Sequence, residues 1–200
     1  MVTLVAAEVQ ERVRGAMSVL GYVPNSAART LRSRRSRMIG IVIPTLNYAL
    51  YARLVESLEN ALNEFSYSLL VAAFEYDRQR ERGQIQLLLE RGAEAIVLIG
   101  EARDAEIYAL LDLWKVPYTI NYIFNAESKR PCIGFDNFAA TARCTQFLLD
   151  LAHLSFGVLA GVTADNDRTT ARLARVRRTL EARGLSLPDS HVIEARYGIE

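Results

Sequence analysis

The sequence predicts an α/β fold in which a doubly wound parallel sheet carries helices on both faces. Three observations predict it. Short apolar runs recur along the chain: MIGIVI (38–43), YSLLVAA (67–73), AEAIVLIG (93–100) and VPYTIN (116–121). Segments of helical periodicity separate them, and that alternation builds parallel sheets with crossover helices. The runs are apolar at consecutive positions, as strands buried on both faces require. The chain has 200 residues, 50% hydrophobic and 24% charged, enough for one domain or slightly more.

The elements follow in order. Residues 8–19 place Val9, Val13, Ala16 and Met17 at helical spacing, and Gly21 stops that helix. Pro24 drives the residue before it into an extended conformation. Asn25 then caps a short helix over SAARTLRS. The first strand, 38–43, ends at Pro44, and a helix over 49–65 gathers Leu50, Leu54, Leu58, Ala61 and Leu62 on one face. Strand 67–73, helix 77–91, strand 93–100, helix 103–114 and strand 116–121 continue the alternation. A short strand over 132–135, a helix over 136–151, a strand over 156–161, a helix over 168–183 and a strand from 191 complete it.

Charge divides the chain. Net charge is only +1, yet the first 40 residues hold seven arginines against Glu8 and Glu11, whereas the remainder is net −4. The stretch RTLRSRRSR (29–37) is five-ninths arginine, has no acidic residue and keeps one bulky apolar side chain, Leu31. A basic arm on a mildly acidic body is the asymmetry of a polyanion-binding end.

Other chemistry finds no support. Cys132 and Cys144 match no metal or redox spacing, so two ordinary thiols and no metal are expected. No glycine-rich nucleotide motif or nucleophile elbow is present, and no cofactor is expected. His153 and His191 have no triad or ligand partner at a recognisable spacing, so no enzyme is expected. No apolar run reaches membrane-spanning length and the N-terminus has no signal core, which makes a cytoplasmic protein the expectation, with no membrane partner.

The ordered series ERVRGAMSVLGYVPNSAARTLRSRRSRMIGIVIP, YSLLVAAFEYDRQRERGQIQLLLERGAEAIVLIG, IGFDN, LAHLSFGVLAG and TARLARVRRTLEARGL resembles the lactose-repressor/galactose-repressor family of bacterial transcription regulators. The resemblance covers essentially the whole chain. It implies a periplasmic-binding-protein-like sensor after a helical headpiece remnant and hinge helix. The implied divisions are 1–24 for the third headpiece helix and 25–37 for the hinge helix and basic linker. Lobe 1 follows over 38–153, and the start of lobe 2 over 154–200. It further implies a homodimer, operator DNA and a small effector, sugar or sugar acid, as partners. The helix-turn-helix and the end of the second lobe fall outside the chain, so it is expected to be a fragment, poorly stable by itself and nearly sequence-blind on DNA.

By resemblance, Leu31 is an apolar wedge for the minor groove, with Arg29, Arg32, Arg34 and Arg35 near phosphates and Asn25 and Ala28 on the groove face. A wedge unstacks a base step, and surrounding cations offset that cost. Ligands of open α/β lobes sit beyond the carboxyl ends of the strands. That selects Thr45 to Tyr51, Asn47 among them, Glu75 to Asp77, Ile99 to Glu101, Asn121 and Tyr122, and the loop after Ala160, with Tyr51 as a stacking aromatic or a packing residue. Arg172 matches an arginine that holds ligand oxygens with its planar fork. Asn137 is a further ligand candidate, although Asp136 and Asn137 are foremost expected to cap the following helix. The family's Asp-x-x-Asn-Pro-Phe after the first strand is replaced by Thr45-Leu46-Asn47-Tyr48-Ala49-Leu50. A periplasmic-type sugar-binding protein without DNA binding shares the fold and is the alternative.

Overall fold

The computed structural model describes residues 5–23, 25–33 and 35–195. It divides into two compact units, residues 1–36 and 37–200.

The first unit holds α1 (Ala7–Val19) and α2 (Ser26–Ser33). Asn25 Oδ1 accepts from Ala28 N at 3.4 Å, satisfying one of the amides that a helix start leaves without a partner. None of the α1 side chains is buried, and Val9 and Val13 face solvent.

The second unit is built on a five-stranded sheet of order β2-β1-β3-β4-β5, every pairing parallel. Its strands are β1 (Met38–Ile43), β2 (Ser68–Ala73), β3 (Ala95–Ile99), β4 (Tyr118–Asn121) and β5 (Cys132–Ile133). Strand alternation in β1 sends Ile41 and Ile43 to one face and Val42 to the other. Ile41 and Ile43 pack with Tyr51, Leu54, Val55 and Leu58 of α3 (Ala49–Glu64). Val42 joins Ile96, Leu98 and Ile120 beneath Ile85, Leu88 and Leu89 of α4 (Arg78–Glu90) and Ile107 and Leu111 of α5 (Ala105–Leu113). Each of these fully buried aliphatic side chains stabilises the fold by about 1.5–3 kcal/mol. Gly40 lets α4 lie close, because a Cβ there would sit 2.7 Å from Ile96 Cδ1 and 2.9 Å from Leu88 Cδ1.

α6 (Asn137–Asp150) packs chiefly on α7 (Asp167–Glu181), which flanks a two-stranded parallel sheet of β6 (Val158–Gly161) and β7 (Val192–Ala195). Asp136 caps α6 by accepting from Phe138 N and Ala139 N, both at 2.9 Å. Arg175 of α7 stacks on Phe138 of α6 with its guanidinium carbon 4.4 Å from the ring centroid.

The expected elements all occur; β1 spans the expected 38–43 and the other strands are shorter. β3 stops at Ile99 because Gly100 turns to φ +73°. β4 starts only at Tyr118, after Pro117, whose ring nitrogen has no proton for the ladder. Its carbonyl still accepts from Ile96 N at 3.0 Å.

Candidate functional site

The carboxyl ends of β1 to β4 converge on loops whose backbone leaves ordinary conformations. Glu75 and Tyr76 after β2, Gly100 after β3, Tyr122 after β4 and Asp165 before α7 all have φ between +54° and +73°. Non-glycine residues adopt that region only where surrounding contacts hold them, and such positions gather at functional sites.

The loop after β3 is held from below. Arg103, with 1% of its side chain exposed, donates to the carbonyls of Gly100 at 2.7 Å and Ile99 at 3.2 Å. It also donates to Glu81 Oε1, 3.2 Å from Nε, and to the Tyr108 hydroxyl at 3.1 Å. Glu81 is equally buried, with 2% of its side chain exposed. Burial raises the Glu81 pKa above the ordinary carboxylate range, and the nearby Arg103 charge opposes that rise. Burial likewise raises the Tyr108 hydroxyl. The network uses all three guanidinium nitrogens, which is why arginine rather than lysine suits the position.

The upper side of the loop meets α7. Glu101 N donates to Asp167 Oδ2 at 2.5 Å, and Asp167 Oδ1 accepts from Arg168 Nη1 at 3.0 Å. Arg168, only 6% exposed, passes directly over Gly100, where a Cβ would collide with its guanidinium. Arg78 of α4 bonds Asp165 and, at 2.6 Å, Asp104. These bonds, that to Asp165 foremost, raise the Arg78 pKa and keep it charged.

Beside this seam lies a cavity of about 280 Å³. Glu101, Phe124, Phe135, Asn137, Asp167 and Arg168 are among its lining residues. Asn137 Nδ2 donates to the carbonyls of Tyr122 at 2.9 Å and Phe135 at 3.4 Å. Its buried Oδ1 finds no donor.

The expected ligand residues divide. Asn137 lines the cavity, as its place at the start of α6 allows. Asn121 ends β4, with its Oδ1 accepting from Thr119 at 3.3 Å. Thr45 accepts from Asn47 N at 3.1 Å, an ordinary turn contact. Glu75 pairs with Arg80 at 2.9 Å. Tyr51 is a core residue, packed edge-on to Tyr48 at 5.7 Å and Tyr122 at 5.9 Å. Burial, with the neighbouring Tyr51 and Tyr48, raises the Tyr122 hydroxyl pKa. Arg172 is exposed, its Nε donating to Arg168 O at 3.2 Å, and it lies off the cavity wall. Arg168, one helical turn earlier on the same helix, lines the cavity instead.

In the first unit, Asn25, Ala28, Leu31, Arg32 and Arg35 are exposed, with Leu31 at 87%. The side chain of Arg29 and the whole of Arg34 lie outside the described residues. Among the described residues no helix is long and apolar enough to cross a membrane, and no cluster of metal-ligating side chains occurs.

A parallel sheet with a cavity beyond its strand ends, facing the helix of a second sheet, has the architecture of a periplasmic-binding-protein-like domain. The family described as "Periplasmic binding proteins and sugar binding domain of LacI family" matches residues 36–198, and the chain belongs to it. The sucrose operon repressor of Lactococcus lactis subsp. lactis is 29% identical over 161 residues, 80% of this chain and 49% of that protein. The crystal structure of a LacI-family transcriptional regulator from Silicibacter pomeroyi superposes with a TM-score of 0.83 at 19% identity, over 99% of this chain and 58% of that one. A second from the same organism gives 0.72 at 26% identity, over 82% of this chain and 60% of that one. The chain spans about half the length of the curated relatives it matches.

Proposed function

We propose that this chain is part of a ligand-responsive DNA-binding transcriptional regulator, most simply a repressor. A sugar or sugar-derived effector is taken between the two sheets of the second unit. DNA is engaged through α2 and the basic stretch after it, by two chains acting together. Residues 1–24 serve as headpiece and 25–37 as hinge. The packing of α6 on α7 supports moving the lobe boundary from His153 to the residues before Asp136.

The observation that carries the reading is Leu31, a large apolar side chain left in solvent on a short, side-chain-capped helix amid arginines. Its place among arginines, at the position where the resembling family puts its wedge, fits a polyanionic partner that covers the leucine. A minor groove does so, with flanking cations meeting phosphates. The sucrose operon repressor, whose name joins sugar to repression, adds support. Regulation is then a population shift. An effector that binds one arrangement of the cleft better than another changes the fraction of chains whose α2 helices pair on DNA.

Fluorescence anisotropy of a labelled duplex tests it. Binding by this chain is expected to be weak, nearly sequence-blind and salt-dependent. Four arginines at phosphates give a log–log slope on the order of −4 per chain. Leu31→Ala weakens binding and leaves that slope in place. No binding at low salt, or an unchanged affinity in Leu31→Ala, rejects the assignment.

A further inference from the structure

We propose that Glu94, Tyr67 and the backbone of Arg37 form a clamp that fixes one geometry where the basic stretch enters the first sheet, and that Glu94 is thereby a positioning residue for DNA binding. This rests on the reading of α2 and the stretch after it as the DNA-binding end.

Arg37 is the last arginine of RTLRSRRSR and immediately precedes β1. Its φ is +57°, a left-handed conformation that a residue with a Cβ keeps only where its neighbours impose it. Three contacts impose it here. Arg37 N donates to Glu94 Oε1 at 2.9 Å, and the Arg37 carbonyl accepts from Ser68 N at 2.9 Å. Nη1 donates to the carbonyl of Phe65 at 3.4 Å. Phe65 is the C-cap residue of α3, where a helix leaves carbonyls without partners and favours a cation. The side chain of Arg37 thus serves the end of α3, and the strained backbone is held from both sides.

Glu94 lies 57 residues away, just before β3. Its Oε2 accepts from the Tyr67 hydroxyl at 3.1 Å, and its own backbone N donates to Met38 O at 2.8 Å. β2, β1 and β3 are neighbours in the sheet, so residues at three strand starts meet around one peptide. The ladder itself begins at Met38. The Glu94 carboxylate reaches one residue beyond it, to the amide through which the covalent path from the basic stretch must pass. A chain that samples many geometries at that point binds DNA with an affinity reduced by the fraction in the competent one. Fixing Arg37 in advance removes that loss.

The test compares Glu94→Ala with Glu94→Gln, which carry the same charge, so that electrostatics cancels between them. Glutamine Oε1 still accepts from Arg37 N, and its amide meets a tyrosine hydroxyl that accepts as well as donates. Alanine does neither. Fluorescence anisotropy of a labelled duplex is expected to show Glu94→Ala binding about fivefold or more weaker than Glu94→Gln, the scale of fixing one residue's backbone, with the same salt slope. Hydrogen exchange of the Arg37 amide, followed without DNA, is expected to be slow in the parent and in Glu94→Gln and fast in Glu94→Ala. Tyr67→Phe retains the ring and the charge, and is expected to change both readouts in the same direction by less. Circular dichroism checks that the variants fold; if Glu94→Ala does not, Tyr67→Phe against the parent decides by the same readouts. Equal duplex affinity across the folded variants, or Arg37 exchange that is the same in all of them, overturns the clamp. A parent that shows the slow Arg37 exchange but binds no duplex at low salt overturns the DNA reading, and the positioning role with it.

Discussion

Arg103→Met isolates the buried network beneath the cleft. Methionine has similar length and no charge, so the change removes one partner of the Arg103–Glu81 pair, whose side chains are 1% and 2% exposed. Removing one member of a buried pair leaves the other charge uncompensated and costs about 3–5 kcal/mol. The carbonyls of Gly100 and Ile99 lose a donor as well. That loss is part of the same figure rather than additional to it, because coupled groups are not additive. The cost depends on pH. Burial already raises the Glu81 pKa, so in that window the native state holds more protons than the unfolded chain. Stability contributed by this group is therefore present at low pH and lost as pH rises through the raised value. Without Arg103 the pKa rises further and the penalty is concentrated at neutral pH. Urea unfolding followed by circular dichroism at several pH values gives the difference between variant and parent. The expected difference is about 3–5 kcal/mol near neutrality and clearly smaller in acid, where Glu81 is protonated. A difference below about 1 kcal/mol at neutrality, the level of an exposed pair, or one flat with pH, refutes the reasoning.

Two further outcomes follow from the seam. Gly100→Ala forces an L-residue to φ +73° and is expected to cost about 1–2 kcal/mol in urea unfolding, while displacing Arg168 and weakening ligand binding. An unchanged midpoint and affinity would remove Gly100 from the account. Arg78→Ala removes half-exposed bonds to Asp165 and Asp104, so its effect on the thermal midpoint should be small and vanish in molar salt. A large effect persisting in salt would contradict that.

Much of the fold was legible because burial on both faces leaves a strong mark. Ile41, Val42 and Ile43 are apolar in succession only because α3 covers one face of β1 and α4 the other. Asp136 was legible as a helix cap because its short carboxylate meets the amides two and three residues on, a purely local contact. The site was less legible, because it is assembled across long sequence separations. Glu81, Gly100, Arg103 and Arg168 meet only when the sheet forms, and each alone reads as an ordinary helix, turn or loop residue. Glu101 fell within the strand-end segment that the topology selects. Arg168 could have been suspected from Asn166, whose side chain caps α7 and fixes which turn of the helix meets β3. Tyr51 shows the reverse difficulty: an aromatic beside a strand end serves packing as readily as a ligand, and here it packs against Tyr48 and Tyr122.

The central claim is that occupancy of the cleft is coupled to DNA. The direct measurement is duplex affinity of this chain by fluorescence anisotropy, with and without a saturating small molecule shown to bind the cleft. The expected shift is about 5- to 150-fold, a coupling of about 1–3 kcal/mol, and is lost in Leu31→Ala. Duplex affinity that stays the same whether or not the cleft is filled would contradict it.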